Sequence, residues 1–194
     1  AEGILTTDTR AKGASSQFDI QGSTVTITGI CKGSGMIKPN MATMLGFVAT
    51  DASIDEELLH AAIRKANGKS FNRITVDGDT STNDAVVLVA TGASGVVIDE
   101  ANFNQFLTQL TDIFVQLAQS IVRDGEGASK FVTVNVESAE NTEEALSVAY
   151  TVAESPLVKT ALTASDPNWG RILAAVGRAD VSDLDVSKIQ ISLN

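Results

Sequence analysis

A glycine-rich stretch that ends in a threonine, residues 32–45 (KGSGMIKPNMATML), holds the residues best suited to chemistry. The hydroxyl of Thr43 is a candidate nucleophile beside an apolar run. The G-S-G at 33–35 is a candidate phosphate cradle, but a dinucleotide fingerprint needs glycine where this chain has Lys38, and a P-loop needs a final G-K-[ST]. By composition alone, a tight turn that exploits the conformational freedom of glycine is the more common case. The residues therefore leave two interpretations, a turn or a nucleophile site.

A second polar stretch, residues 77–84 (DGDTSTND), has the alternating oxygen-bearing side chains of a calcium loop. An EF-hand loop needs glycine at its sixth position and glutamate at its twelfth, where this chain has Thr82 and Leu88. An EF-hand is therefore excluded. Local turns, in which side chains accept hydrogen bonds from nearby amides, are expected instead, with a polar pocket wall as the alternative.

A third stretch, residues 124–128 (DGEGA), places Glu126 between two glycines just beyond a long predicted helix. The helix dipole disfavours a carboxylate at that end. Glu126 therefore either points into solvent, which the sequence alone favours, or holds a cationic group.

The single cysteine, histidine and tryptophan do not predict a further functional site. Cys31 excludes an intramolecular disulfide and, with His60 as the one histidine, a Cys/His zinc site, so no metal is expected. Cys31 is expected to be a small buried hydrophobe, His60 a surface residue, and Trp169 a cap on the core beside a helix start.

The charge of the chain limits the classes of partner that it can bind. The formal net charge of -10 argues against nucleic acid and acidic membranes, since phosphate binding needs a surplus of lysine and arginine. No apolar run has the length of a membrane span, and the first ten residues lack the features of a signal peptide. A cytoplasmic protein is expected.

The elements that must position these residues follow from periodicity. Alternating or apolar runs predict strands at 23–30, 45–50, 74–76, 85–90, 130–136 and 189–193. Helical spacing predicts a first helix that follows Ser53 and runs to about 67, and further helices at about 100–123, at 141–153, from 156 onward, and at 171–176. For the first helix, a capping box from Ser53 to Glu56 and a stop at Gly68 are expected. Interleaved strands and helices predict one compact α/β layered unit, truncated at both ends.

Several stretches together resemble one family, the ornithine acetyltransferases, also called glutamate N-acetyltransferases. They are GILTTDT, KGSGMIKPNMATML, DGDTSTND, DGEGASK and SPLVKTALTASDPNWGRILAAVGRA, in that order along the chain. The resemblance implies a self-processing enzyme of bacterial arginine biosynthesis, of which this chain is the central portion. It also implies an α-β-β-α sandwich with mixed sheets, the fold of N-terminal-threonine acyltransferases.

The resemblance implies self-cleavage between Ala42 and Thr43. Residues 1–42 would then be the end of an α subunit, and residues 43–194 the β-subunit region. Thr43 would accept an acetyl group from N-acetylornithine and pass it to glutamate by a ping-pong reaction. A threonine hydroxyl needs an adjacent base, and the freed α-amine of Thr43, with an unperturbed pKa of about 8, can serve.

The resemblance also implies substrate-binding roles for Thr6, Lys32, Thr43 and Glu126. The charge of Lys32 suits an amino-acid carboxylate, and an ammonium group would explain the carboxylate of Glu126. The family's oxyanion-hole Thr-Gly pair, and an Asn and a hydroxyl residue near its C-terminus, have no match in this chain. Without the oxyanion hole, a loss in rate on the order of a hundred-fold or more is expected.

Two alternatives stay open beside acetyl transfer. One is an N-terminal-threonine amidohydrolase or aminopeptidase, in which water replaces glutamate, and the other is an inactive fragment. No cofactor is expected, with acetyl-CoA as a candidate second donor. The expected partners are amino acids and the remaining subunit segments, in a heterotetramer or higher oligomer.

Overall fold

The computed structural model of the chain describes residues 2–38, 44–80 and 83–193. They form two compact units, residues 1–128 and 129–194, where a single compact unit was expected. The α/β class with mixed strand directions is confirmed in the first unit. None of the helices in the described ranges has the length and the apolar run that crossing a membrane requires.

The first unit is built on a mixed sheet. Its strands are β1 (Lys12–Ile20), β2 (Ser23–Lys32), β3 (Leu45–Thr50), β4 (Ser53–Ile54), β5 (Ala85–Ala90) and β6 (Val97–Ile98). The main sheet has the order β1-β2-β3-β5, and β4 pairs with β6 separately. Neighbours β1–β2 and β2–β3 are antiparallel, whereas β3–β5 is parallel. The predicted β2, β3 and β5 are confirmed; β1 was not predicted.

Strand β1 joins β2 through a two-residue hairpin turn. Gln21 and Gly22 have φ angles of 54° and 81°, the left-handed backbone that matches the twist of a tight hairpin. The carboxylate of Asp19 accepts a hydrogen bond from the Gly22 N–H at 2.9 Å. The turn fixes the register, in which Ile20 faces Ser23 and Lys12 faces Cys31.

Two helices cover one face of this sheet. Helix α1 (Glu56–Asn67) and helix α2 (Phe103–Arg123) follow the predicted spans closely, and Gly68 ends α1 as expected. The predicted capping box was wrong, because the N–H of Ser53 donates to the carbonyl of Val96 beside β6. Asp55 caps α1 instead and accepts from the Leu58 N–H at 2.9 Å.

The core of the first unit lies between α2 and the sheet. The buried side chains of α2 recur at helical spacing: Phe103, Phe106, Leu110, Ile113, Phe114, Leu117, Ala118 and Ile121. The opposite face of the sheet exposes Phe47, Val87 and Val89. Phe47 and Val87 are direct neighbours across the parallel pair β3–β5.

The second unit is helical in its described residues. It contains α3 (Thr142–Ala153), α4 (Pro156–Thr163) and α5 (Trp169–Val176), around a small core of Val152, Val158, Ala175 and Val176. Ser155 caps α4 ahead of Pro156, as predicted. Trp169 was expected to cap the core, but it is 64% exposed at the start of α5.

The predicted strands at 74–76, 130–136 and 189–193 were wrong, since all these residues are described and none is in a strand. A strand needs a partner ladder for its backbone groups, and an apolar run alone does not supply one. Short 3-10 helices complete the chain at Glu2–Ile4, Phe71–Arg73 and Val186–Lys188.

Candidate active site

The glycine-rich loop begins where β2 ends. Lys32 is the last residue of β2 and faces Leu45 of β3. Gly33 has a φ of 145°, a backbone conformation that side-chain-bearing residues rarely adopt. The chain therefore turns sharply directly after the lysine, and the side chain of Lys32 stays half-buried at the edge of the loop.

A cavity of about 300 Å³ lies beside this loop. Three segments that are distant in sequence surround it, and its lining residues are Thr6, Thr7, Lys32, Gly33, Ser34, Gly35, Met36 and Glu126. The structure thus brings together three of the predicted substrate-binding residues, namely Thr6, Lys32 and Glu126. Their binding roles stay predictions.

Close contacts join the walls of the cavity. The hydroxyls of Thr7 and Ser34 share a hydrogen bond at 2.6 Å. The N–H of Glu126 donates to the carbonyl of Ser34 at 2.8 Å. A Cβ at Gly35 would lie only 2.8 Å from the Glu126 carboxyl group. The absence of a side chain at Gly35 therefore lets this carboxylate pack against the loop.

A buried lysine lies next to the cavity and was not predicted. The Nζ of Lys12 donates to the Oδ1 of Asp8 and to the Oδ2 of Asp124, each at 2.5 Å. These three side chains are 1%, 0% and 3% exposed. The N–H of Gly33 also donates to Asp8 at 2.7 Å, and the N–H of Thr9 donates to Asp124 at 3.0 Å. We call Lys12, Asp8 and Asp124 the lysine cluster.

The lysine cluster connects the three walls of the cavity. Asp8 lies two residues after Thr6 and binds the backbone next to Lys32 through Gly33. Asp124 lies two residues before Glu126. Three of the predicted binding residues therefore lie close to the cluster in sequence: Thr6 and Glu126 are two residues from Asp8 and Asp124, and Lys32 is next to Gly33, which donates to Asp8.

The electrostatics of the lysine cluster favour charged carboxylates. Burial alone would raise the pKa of Asp124, but hydrogen bonds from Lys12 and Thr9 outweigh burial and lower it to about 2. For Asp8, hydrogen bonds from Gly33 and Lys12 likewise outweigh burial and lower the pKa. The cluster is thus an ion-pair triad in which each charge has a partner.

A weak sequence signal for the cluster exists. Lys12 lies in phase with Ala14, Phe18 and Ile20 on the inward face of β1. A lysine on an inward strand face needs a buried acidic partner, but the identity of that partner depends on the tertiary fold.

The predicted cleavage site, Ala42–Thr43, lies outside the described residues. The backbone on both sides is described. The Asp77 carboxylate accepts from the N–H groups of Met36 and Ile37 at 2.5 and 3.0 Å. The Asp84 carboxylate accepts from the N–H of Met44.

Asp84 has an unusual environment. Burial raises the pKa of its carboxyl to about 6, against the hydrogen bond from Met44 and the charge of Lys32, which lower it. Its Oδ2 is buried and has no hydrogen-bond partner among the described residues. DGDTSTND therefore does more than form local turns, since two of its carboxylates bind backbone far away in sequence.

Cys31 has the structural role that its position predicts. Its side chain is buried in the core, its Sγ donates to the carbonyl of Leu117 at 3.5 Å, and burial raises the pKa of the thiol to about 12. A thiol with that pKa is not a nucleophile at neutral pH. In the described ranges, no group of histidine, cysteine and acidic residues has the arrangement of a metal site.

Known proteins that are similar to this chain match it over its full length. The model of the ArgJ family matches residues 1–194. The arginine biosynthesis bifunctional protein ArgJ of Pseudomonas syringae pv. tomato is 59% identical over 197 residues, and that of Pseudomonas fluorescens is 58% identical. Each alignment covers 100% of this chain and 49% of the relative. The chain thus spans about half the length of these curated relatives.

A solved structure is also similar. The crystal structure of the arginine biosynthesis bifunctional protein ArgJ from Bacillus halodurans has a TM-score of 0.66 and 44% sequence identity. The match covers 69% of this chain and 64% of that one.

Proposed function

Because the chain belongs to the ArgJ family, as its resemblance to the ornithine acetyltransferases predicted, we propose that it carries the nucleophile and part of the substrate pocket of an acetyltransferase. The reaction moves an acetyl group from N-acetylornithine to glutamate. It uses an acetyl-Thr43 intermediate, after self-cleavage between Ala42 and Thr43.

One observation carries the proposal, namely the composition of the 300 Å³ cavity. A lysine, a carboxylate and threonine hydroxyls line it, contributed by Lys32, Glu126, Thr6 and Thr7. An amino acid offers the complementary set, a carboxylate for the lysine and an ammonium group for the glutamate. Glutamate and N-acetylornithine are both within the size that such a cavity admits.

Self-cleavage proceeds as an acyl shift from nitrogen to oxygen, followed by hydrolysis of the ester. The Oγ of Thr43 attacks the carbonyl carbon of Ala42, and the peptide C–N bond breaks to leave an ester and a free α-amine. Water then cleaves the ester, which gives a carboxylate on Ala42 and restores the Thr43 hydroxyl. The net change is the addition of one water across the peptide bond.

Transfer uses the same hydroxyl with the new amine as its base. The Thr43 Oγ attacks the acetyl carbon of N-acetylornithine while the amine takes the hydroxyl proton. The amide C–N bond breaks, and ornithine leaves with that proton on its nitrogen. The amine of glutamate then attacks the acetyl ester, N-acetylglutamate leaves, and the threonine oxygen regains a proton.

The remaining expectations stay predictions within this proposal. The transfer needs no cofactor, because a hydroxyl and an amine supply its chemistry. A second activity accords with the word bifunctional in the names of the relatives, and acetyl-CoA is our predicted second donor. A cytoplasmic heterotetramer or higher oligomer, completed by the other subunit segments, is likewise predicted.

The test compares Thr43→Ala with the unaltered sequence in a complete, processed protein. We expect intact mass to show two pieces, split between Ala42 and Thr43, only when the threonine is present. Acetyl-labelled N-acetylornithine should give labelled N-acetylglutamate with the unaltered protein and none with the variant. Thr108→Ala, on the exposed side of α2, is the control and should cleave and transfer normally. No transfer by the complete, processed protein would overturn the proposal.

The same assay separates the amidohydrolase alternative. If water resolves the acetyl-threonine, labelled acetate accumulates whether or not glutamate is present. If glutamate resolves it, labelled N-acetylglutamate forms and acetate stays at background.

A further inference from the structure

The lysine cluster joins chain segments that also form the walls of the cavity. We propose that Lys12 and Asp124 are positioning residues for the substrate pocket. Their hydrogen bond fixes the place of Glu126 relative to the wall that carries Thr6, and so sets the spacing of the substrate-binding groups. The inference rests on the proposed function and extends it to two residues that do not line the cavity themselves.

The ammonium group of Lys12 lies where two elements of the first unit meet. Lys12 is the first residue of β1, and Asp124 directly follows the last residue of α2. The two bonded side chains come from positions 112 residues apart, and they are 1% and 3% exposed. Binding groups have to be held to within about 0.5 Å by packed residues and by hydrogen bonds to them. A buried ion pair that joins a strand to a helix meets both requirements.

Glu126 depends on such support because its own backbone has wide conformational freedom. It lies between Gly125 and Gly127, and Gly127 has a φ of 69°. One fixed point is the hydrogen bond from the Glu126 N–H to the carbonyl of Ser34. The other is Asp124, two residues earlier, which accepts from the Nζ of Lys12 and from the N–H of Thr9. The carboxylate of Glu126 is therefore placed from two sides.

Stability alone does not account for the ion pair. Taking charges out of water costs free energy, and apolar side chains of similar volume are often neutral or stabilising in their place. Ala14, Phe18 and Ile20, on the same face of β1, are apolar and pack in the core. The charged residue is at the end of the strand that lies next to the cavity. Charge-assisted hydrogen bonds are stronger and more directional than apolar contacts, which suits them to fixing a binding group.

The test measures the binding of ornithine to the complete, processed protein by calorimetry. Ornithine carries ammonium and carboxylate groups but no acetyl group to transfer. We expect Asp124→Ala to raise its dissociation constant about tenfold or more, in keeping with the loss of a charge-assisted hydrogen bond. Asp124→Asn makes the same charge change but keeps an acceptor oxygen for Lys12, and should bind within about threefold of the unaltered protein. Lys12→Met, which removes the ammonium group, should bind at least as weakly as Asp124→Ala.

The dissociation constant separates positioning from folding. Unfolded molecules lower the number of binding sites per chain but do not change the dissociation constant of the folded ones. Asp124→Ala leaves the ion pair of Lys12 with Asp8, so no buried lysine charge loses its last partner. Gly29→Ala, in the middle of β2, is the stability control and should lower the melting temperature without changing the dissociation constant. Equal dissociation constants for Asp124→Ala and Asp124→Asn would overturn the inference.

Hydrogen exchange keeps the inference testable if the unaltered protein does not bind ornithine, an outcome that would count against the proposed function alone. The amide of Glu126 is the reporter, because it donates to Ser34 and not to a residue of the lysine cluster. We expect it to exchange about tenfold faster or more in Asp124→Ala than in Asp124→Asn. Equal exchange rates in these two variants would refute the positioning of Glu126 by Asp124, whatever the protein binds.

Discussion

At the scale of single residues, the lysine cluster has the largest electrostatic consequence. A lysine with a 1% exposed side chain is rare unless it is paired, and here two carboxylates share its charge. Removing one partner from such a buried set leaves uncompensated charge, which costs far more than an exposed ion pair contributes.

Replacing Lys12 with methionine keeps most of the length of the side chain and removes its charge. We expect the free energy of unfolding at neutral pH to fall by about 3 kcal/mol or more, since Asp8 and Asp124 would lose the buried ammonium group that pairs with both. The exposed guanidinium of Arg10, 3.8 Å from Asp124 Oδ1, is a weaker partner. Urea unfolding measures the change. Lys69→Met, at an exposed position of the same unit, is the control and should change stability by less than about 1 kcal/mol.

The same variant should lose part of the acid sensitivity of the protein. The pKa of Asp124 is lowered in the folded chain to about 2, from an ordinary value of 3.8. Its stabilising contribution, about 2 kcal/mol, is therefore present above about pH 4 and lost as the pH falls through 2. Stability that declines equally steeply over that range with and without Lys12 would contradict this account.

At the scale of elements, the distance between α2 and the sheet depends on one glycine. A Cβ on Gly29 of β2 would lie 2.8 Å from a methyl group of Val48 and 2.9 Å from one of Leu117. Both neighbours are buried, so neither can move without disturbing the core.

Gly29→Ala is expected to lower the free energy of unfolding by about 1–3 kcal/mol, because overpacking forces the helix and the sheet apart. Thermal unfolding measures the loss. Gly13→Ala in β1 is the matched control, since its added Cβ would meet nothing closer than 3.5 Å. Equal melting temperatures for the two variants would show that α2 accommodates the methyl group.

The elements that could be predicted from sequence are those with a local signal. The buried positions of α2 recur at helical spacing, and β3 and β5 read as apolar runs of strand length. Strand β1 has more polar residues, and only its pairing with β2 makes its alternation clear. The run at 130–136 has a strand pattern but no strand structure, because pattern alone does not provide a neighbouring ladder.

Part of the candidate site was likewise predictable from the sequence, and part was not. Family resemblance identified Thr6, Lys32 and Glu126, and the structure places all three around one cavity. The lysine cluster and the backbone hydrogen bonds of Asp77 could not be predicted. Lys12 pairs with Asp124 across 112 positions, and the Met36 N–H that donates to Asp77 lies 41 positions away. Long-range pairing is a property of the fold and leaves only weak traces in one sequence.

At the scale of the whole molecule, the chain is two compact units joined just after the cavity. The boundary lies between residues 128 and 129, two residues beyond Glu126. The residues that follow, 129–136, are described and have no helix or strand. Backbone without regular hydrogen bonding is where proteases cut first.

Limited trypsin digestion should therefore cut first after Lys130, which is exposed and lies just past the boundary. In the Thr43→Ala variant, which should not cleave itself, we expect two fragments, 1–130 and 131–194, to appear together in mass spectra at early times. Lys130→Gln should abolish that pair of fragments. Earlier cutting after Arg64, in the middle of α1, would contradict the division into units.

The last strand of the main sheet has a consequence for handling the protein. Strand β5 is at the end of the strand order, and its six residues, AVVLVA, include no proline and no charge. Two of its valines are exposed on the face that the helices leave open. Natural proteins usually blunt such an edge, because another chain can add to it by backbone pairing. The isolated chain therefore stays dispersed through mutual repulsion from its net charge of -10. Concentrated salt screens that repulsion and should promote filament-like association through β5.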